Sequence, residues 1–409
     1  MMPPQEQTLA ELRRQEYNQR IIVDRLRREV FQQTDPVAST ALLGELTQKE
    51  KALKEIEAQR AAVQAKDAQS GLILDTADAT TMRGRDTTGL EAKVHLKMAH
   101  VPTAICHLLD REQNPLIACQ VKAVRTADRR TKRRLRVSSY IEGYSARAVN
   151  TFELPINSSH TVKQLPTLFP ASLRSLSELT RATLNVLVED LEGDVELHET
   201  EPIWLLARTS APLFVDDPQS GQRQDLTPYF GAFVTPNAPS LMKFLRIAAD
   251  FHPEERLVGY QGDPDGVNQQ VKALFDALKS SADITYVNSV IDFNPNQGTA
   301  SQRVRLPRES LADREANCLD GTVLFASLLE GISLHPAIIL VPGHAFLGWE
   351  TWSNTGEWCY LETTMIGSSS FEEACDRGSK LADHYASEDE LTRLPLQVLR
   401  SVHGITPME

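Results

Sequence analysis

A chain of 409 residues is longer than one ordinary hydrophobic core supports, so about two or three domains are expected. Its composition, 41% hydrophobic and 24% charged, is that of a globular protein. A formal net charge of −12 argues against a general nucleic-acid binder while leaving room for one basic patch.

The first elements read as helices. Leu9, Leu12, Glu16, Gln19, Val23, Leu26 and Val30 follow a three-to-four spacing over residues 4–32. Pro36 interrupts it, because proline disfavours helix at the preceding residue. Leu42, Leu46, Lys49, Leu53, Ile56, Arg60 and Val63 then repeat the spacing. Residues 1–68 are therefore expected to form an antiparallel helical hairpin or a coiled coil that makes a homo-oligomer. The polar seam positions Glu16, Gln19, Lys49 and Arg60 weaken an isolated pair and suit docking on a partner. Residues 69–90 have no sustained period and read as a linker.

Residues 91–205 change to the strand period of two. Ile117, Cys119, Val121 and Ala123 alternate with polar neighbours, as do Leu135, Val137, Ser139 and Ile141. Further strands are expected at 94–98, 148–154, 182–188 and 195–198, and together they predict an immunoglobulin-like β-sandwich. The segment 122–136 carries eight basic residues. It reads as a solvated hairpin tip or as a docking patch for nucleic acid or an acidic partner. No aromatic interleaves with the charges to make a stacking platform.

Residues 206–390 mix helix and strand, and 391–409 read as a C-terminal tail. Helical spacing covers 240–250 and 267–280, and an extended polar stretch follows at 288–307. The order is then a helix over 318–330, strands at 336–340, 344–350 and 358–362, and a last helix over 371–378. The whole is a multidomain α+β chain.

Cys318 opens an apolar helix, CLDGTVLFASLLEG, where the partial positive charge of the helix end favours a thiolate nucleophile. His344 follows a strand and the turn Pro342-Gly343. Glu362 ends the next strand, so antiparallel pairing would bring it beside His344. Cys318 would attack, His344 would take and return the proton, and Glu362 would orient the ring. This ordered set resembles the transglutaminase-like (papain-like) cysteine peptidase superfamily, closest to bacterial transglutaminase-like domains associated with helicase-type and defence proteins. The matching pieces are FGAFVTPNAPS (230–240), LVGYQG (257–262), SQRVRLP (301–307), NCLDGTVLFASLLE (317–330), PGHAFLGW (342–349), WCYLETTMIG (358–367) and FEEACDRG (371–378).

The resemblance implies a C-terminal papain-type α+β domain behind a β-sandwich and an acyl-thioester mechanism on a partner protein. It also implies a bacterial antiviral (antiphage) defence setting. By it Cys318 is the nucleophile, His344 the base and Glu362 the third member, with Gln302 a second oxyanion donor beside the Cys318 N–H. The chain departs from the pattern twice. Glu362 stands where aspartate is usual, and Ala316-Asn317 precede the cysteine where glycine is common. Peptidase, deamidase and transglutaminase chemistry share the acyl-enzyme and stay open. A catalytically silent scaffold, using the helical arm and the sandwich, is the competing reading.

Trp349 and Trp358 flank the site as cleft walls or as hairpin packing. His95, His100, Cys106 and His107 lack a paired zinc-ligand spacing, so no metal is expected. Residues 259–266 are glycine-rich without the P-loop lysine-hydroxyl pair, and no cofactor is expected. The longest apolar run, Pro336–Val341, is strand-sized, and the first residues form no apolar signal core. Five cysteines at no framework spacing fit a reducing compartment. A cytoplasmic protein is the expectation.

Overall fold

Pro36 opens the second predicted helix, its fixed φ suiting a first helical turn: α1 spans Pro36–Gln69. The computed structural model describes residues 15, 19, 22, 23, 26, 36–69, 80–83, 89–124, 130–193, 195–218, 220–287 and 299–408. They fall into two units, Met1–Thr76 and Ala77–Glu409. In the first unit the described residues of the expected 4–32 helix are helical, and the rest of that segment lies outside the described residues. Val23 and Leu26 are buried with Leu46, and Ile22, Leu42 and Leu53 pack around them. Gln19, a polar seam position, joins the segments: its Nε2 donates to the Lys49 carbonyl at 3.0 Å.

The second unit is a mixed α+β body with several sheets. Its first half holds β1 (Thr80–Arg83), β2 (Leu90–Leu96), β3 (His100–Val101), β4 (Ile117–Ala123), β5 (Lys132–Ile141), β6 (Ala148–Pro155), β7 (Ser159–Gln164), the short helix α2 (Pro170–Leu173), β8 (Thr180–Asp190) and β9 (Val195–Leu205). These strands make two sheets, ordered β1-β2-β4-β7 and β3-β9-β8-β5-β6. The period of two is literal in β2, where Leu90, Ala92 and Val94 are buried and Glu91 and Lys93 are exposed. Buried faces of both sheets enter one core, with Val94 and Val121 from one and Val137, Leu184 and Val186 from the other. The stretch expected to be a linker contributes β1, paired to β2 from Thr80↔Val94 to Arg83↔Glu91.

The basic segment is largely neutralised where it is described. Arg133, 1% exposed, pairs with Asp190 at 3.0 Å, and Arg130 reaches the same carboxylate at 3.2 Å. Arg136 pairs with Glu189, and Lys132 with Glu153. The register explains this: Arg136 stands directly opposite Glu189, and Lys132 and Arg133 are diagonal to Glu153 and Asp190.

The second half holds β10 (Ser210–Asp216), β11 (Arg223–Asp225), α3 (Pro239–Ala249), α4 (Pro264–Ser280), β12 (Thr285–Tyr286), β13 (Thr299–Arg303), α5 (Pro307–Asp313), β14 (Glu315–Ala316) and α6 (Cys318–Gly331). It continues with β15 (Pro336–Val341), β16 (His344–Glu350), β17 (Trp358–Leu361), α7 (Phe371–Ser387), β18 (Thr392–Pro395) and α8 (Leu396–Ser401). The sheet that matters for the site runs β17-β16-β15-β18, antiparallel throughout. The smaller sheets are β11-β10-β13 and the parallel pair β12-β14. α6 is buried over most of its length in the main core, which fits its apolar sequence.

Three expectations change. Residues 391–409 are no tail: β18 pairs with β15, and Leu396, Leu399 and Ile405 are buried in the core. The last predicted helix is longer, because Leu381, Ala382 and Tyr385 continue the buried face of α7. The boundary at 205/206 is bridged, with Ala104 and Ile105 buried in the core of the second half and Thr103 Oγ1 donating to the Leu206 carbonyl at 2.8 Å. Among the described residues no helix is long and apolar enough to cross a membrane.

Candidate active site

Cys318 is the first residue of α6, and the sequence around it builds a tight helix start. The Asn317 side chain accepts the Asp320 N–H at 2.8 Å, and the Asp320 carboxylate accepts the Asn317 N–H at 3.1 Å. This is a reciprocal capping box. Asp320 is fully buried and also receives the Arg305 N–H at 2.7 Å and Arg305 Nη1 at 3.1 Å. Burial pushes its carboxyl upward; the N–H donors and the Arg305 cation oppose that but do not overcome it. Arg305 pairs with Glu315 as well. The Cys318 N–H makes no hydrogen bond among the described residues and lies at the positive end of the helix.

His344 begins β16 after a two-residue turn. Val341 pairs with His344, and Gly343 takes a φ of +73°, a left-handed conformation that glycine adopts without strain. The β16–β17 ladder pairs Leu347 with Leu361. One step further puts Glu362 opposite Phe346, hence diagonal to His344 on the same face. The contact follows: His344 Nε2 lies 2.7 Å from Glu362 Oε2. With Nε2 engaged, Nδ1 is the nitrogen left for the side-chain hydrogen bond that His344 shares with Cys318.

Backbone contacts hold the carboxylate end in place. The Glu362 N–H donates to the Ala374 carbonyl of α7 at 3.0 Å. α7 can come that close because residue 378 is glycine; a Cβ there would meet the Leu361 nitrogen at 2.7 Å. Thr363 then ties the same segment to the Cys318 helix, α6. Its Oγ1 donates to the Cys318 carbonyl at 3.3 Å, and Thr322 Oγ1 donates to that carbonyl at 2.7 Å.

The electrostatics are those of an ion pair. Burial alone would lower His344, but the Glu362 charge and the hydrogen bonds to Cys318 and Glu362 outweigh it and raise it to about 10. Burial would raise Glu362, but His344 and the donors of Thr364 bring it below the usual carboxylate value. His344 is 9% exposed and Glu362 2% exposed, so the pair is desolvated. Cys318 itself is half-buried. Burial pushes the Cys119 and Cys375 thiols up to about 12 and raises Cys106 and Cys359. A protonated imidazole between a carboxylate and a sulfur can stabilise a sulfur anion and deliver a proton to a leaving group.

The structure brings Cys318, His344 and Glu362 together. Gln302 sits half-buried on β13 opposite Ala211, and its amide makes no hydrogen bond to Cys318 among the described residues. Its neighbour does approach: the Arg303 carbonyl accepts from Asn317 Nδ2 at 3.4 Å. Trp349 is no cleft wall. It is 1% exposed in the core, with its Nε1 donating to Asn268 Oδ1 at 3.2 Å. Trp358 is half-buried at the far end of β17, beneath the Arg393 guanidinium at 5.0 Å. Among the described residues no group of three or more His, Cys, Asp or Glu side chains could hold a metal ion.

Nothing in the sequence pattern marks Arg305, Thr363 or Thr364 as neighbours of Cys318 and Glu362. The N-x-x-D spacing of Asn317 and Asp320 was a readable capping signal. The two threonines follow Glu362 directly, but nothing in their spacing says which groups they meet. No family model matches the chain, and no curated protein matches it.

Proposed function

We propose that this chain is a cysteine-nucleophile amide hydrolase or acyl transferase of the transglutaminase-like type, acting on a partner protein. The observation that carries the reading is His344 held between Glu362, at 2.7 Å, and the Cys318 side chain. The Cys318 sulfur attacks the substrate's amide carbon, and the oxyanion forms against the Cys318 N–H at the helix end. His344 passes its proton to the leaving amine as the C–N bond breaks, leaving an acyl-thioester. Water or a second amine then attacks the thioester, gives its proton to His344 and releases the thiolate, which restores the starting pair. The acceptor decides between hydrolysis and transfer.

In this reading the two sheets that share a core form a β-sandwich that presents the partner. The helical segments of the first unit form a hairpin arm suited to self-association. A free thiol nucleophile is kept active in a reducing compartment such as the cytoplasm.

The test is substrate trapping in the native host, comparing the wild type with Cys318→Ala by mass spectrometry. A protein that is cleaved or modified by the wild type should accumulate unaltered with Cys318→Ala. Unchanged processing by Cys318→Ala would refute the assignment.

A further inference from the structure

Glu362 is one methylene longer than the aspartate that the resemblance leads one to expect, and a longer carboxylate has one more torsion to fix. Its Oε2 is spent on His344 Nε2. Its Oε1 receives two donors from a single residue: the Thr364 N–H at 3.0 Å and the Thr364 hydroxyl at 2.7 Å. The N–H bond is a local turn feature that any residue but proline at 364 could make. The hydroxyl bond depends on the side chain.

We infer that the Thr364 hydroxyl is a positioning group that holds Glu362 as a carboxylate with Oε2 aimed at His344. This inference rests on the reading of Cys318, His344 and Glu362 as one reactive unit. Thr364 touches neither the sulfur nor the imidazole in any bond described, so it acts through Glu362 alone. A donor to a charged acceptor contributes more than a neutral hydrogen bond, and here the acceptor is 2% exposed, where screening by water is weak. The groups that set the charge on His344 are Glu362, on the turn after β17, and Cys318, on α6. The groups bearing on Glu362 are His344 and Thr364. Removing the hydroxyl leaves Oε1 with the Thr364 N–H alone and frees the carboxylate to turn, so Oε2 is no longer held against the imidazolium.

The experiment is a nitrogen-15 NMR titration of histidine-labelled protein, with His344 assigned by comparison with His344→Gln. It is run on the wild type, Thr364→Val, Thr364→Ala and Thr364→Ser. The wild type is expected to titrate well above an ordinary histidine. Thr364→Val and Thr364→Ala should titrate lower than the wild type by about half a pH unit or more, since one unit corresponds to 1.36 kcal/mol of differential interaction. Thr364→Ser should stay with the wild type. Iodoacetamide alkylation of Cys318 at neutral pH should slow several-fold in the first two and not in the third. The alanine variant serves where the valine methyl disturbs folding. An unshifted His344 in folded Thr364→Ala, or a shift of equal size in Thr364→Ser, would overturn the inference. A wild-type His344 that titrates like an ordinary histidine would instead overturn the reading on which it rests.

Discussion

Glu362 and His344 face each other across the β16–β17 ladder as diagonal neighbours, 2.7 Å apart. The ladder register alone fixes which strand positions can meet, and the capped start of α6 brings Cys318 to the same point. Each of these contacts predicts a measurable loss.

Glu362→Ala leaves a buried imidazolium without its counter-charge. Removing one partner of a buried pair costs about 3–5 kcal/mol, less whatever is recovered when the imidazole sheds its proton. Urea denaturation at pH 7 should show this loss. A change below about 0.5 kcal/mol, the range of an ordinary surface substitution, would contradict a desolvated pair.

The same pair gives stability a defined pH window. His344 is raised from 6.5 to about 10, so its contribution is complete below 6.5 and is lost as pH rises toward 10. Glu362 is lowered from 4.5, so its contribution is present above 4.5 and is lost as pH falls through the folded value. The difference in urea midpoint between the wild type and His344→Gln/Glu362→Gln should be largest between 4.5 and 6.5 and shrink on both sides. A flat difference from acid to alkaline pH would remove the linkage.

Arg305→Ala removes the cation from the Asp320 carboxylate, which is fully buried in the first turn of α6. A loss of about 3–5 kcal/mol in urea denaturation is expected. Adding Asp320→Asn should restore part of it, because the amide removes the unpaired charge. No recovery in the double variant would mean that Arg305 acts mainly through Glu315.

Gly378→Ala drives a Cβ to 2.7 Å from the Leu361 nitrogen, a backbone atom that cannot turn aside. Overpacking of this kind costs about 1–3 kcal/mol. The displaced α7 also carries the Ala374 carbonyl that anchors Glu362. Thermal melting and the alkylation rate of Cys318 should both fall. A lower melting temperature with an unchanged rate would separate the helix from the site.

Much of this was legible before the fold. The period of two found the β4 and β5 strands, and the Pro342-Gly343 turn located the start of β16 at His344 itself. Cys318 at a helix start and His344 and Glu362 at strand ends occupy positions that carry local sequence signals. What stayed hidden depends on contacts distant in sequence. Thr103 reaching Leu206 across the expected domain boundary, and Arg305 beneath Asp320, have no periodicity to betray them. Trp349 could be read as a cleft wall or as hairpin packing, because a tryptophan on the His344 strand suits either. On β16, however, both faces are covered, so alternation gives no sign of exposure. Residues 391–409 passed for a tail because β18 is short and its pairing with β15 comes from far along the chain.

The central claim is that His344 activates Cys318, and competitive alkylation tests it most directly. Folded protein is treated with a small excess of iodoacetamide at pH 7, and each cysteine is quantified by peptide mass spectrometry. Cys318 should react at least about tenfold faster than Cys106, Cys119, Cys359 and Cys375, whose thiols burial pushes up. That advantage should vanish in His344→Gln. Labelling of Cys318 no faster than Cys359, or equally fast without the imidazole, would contradict the account.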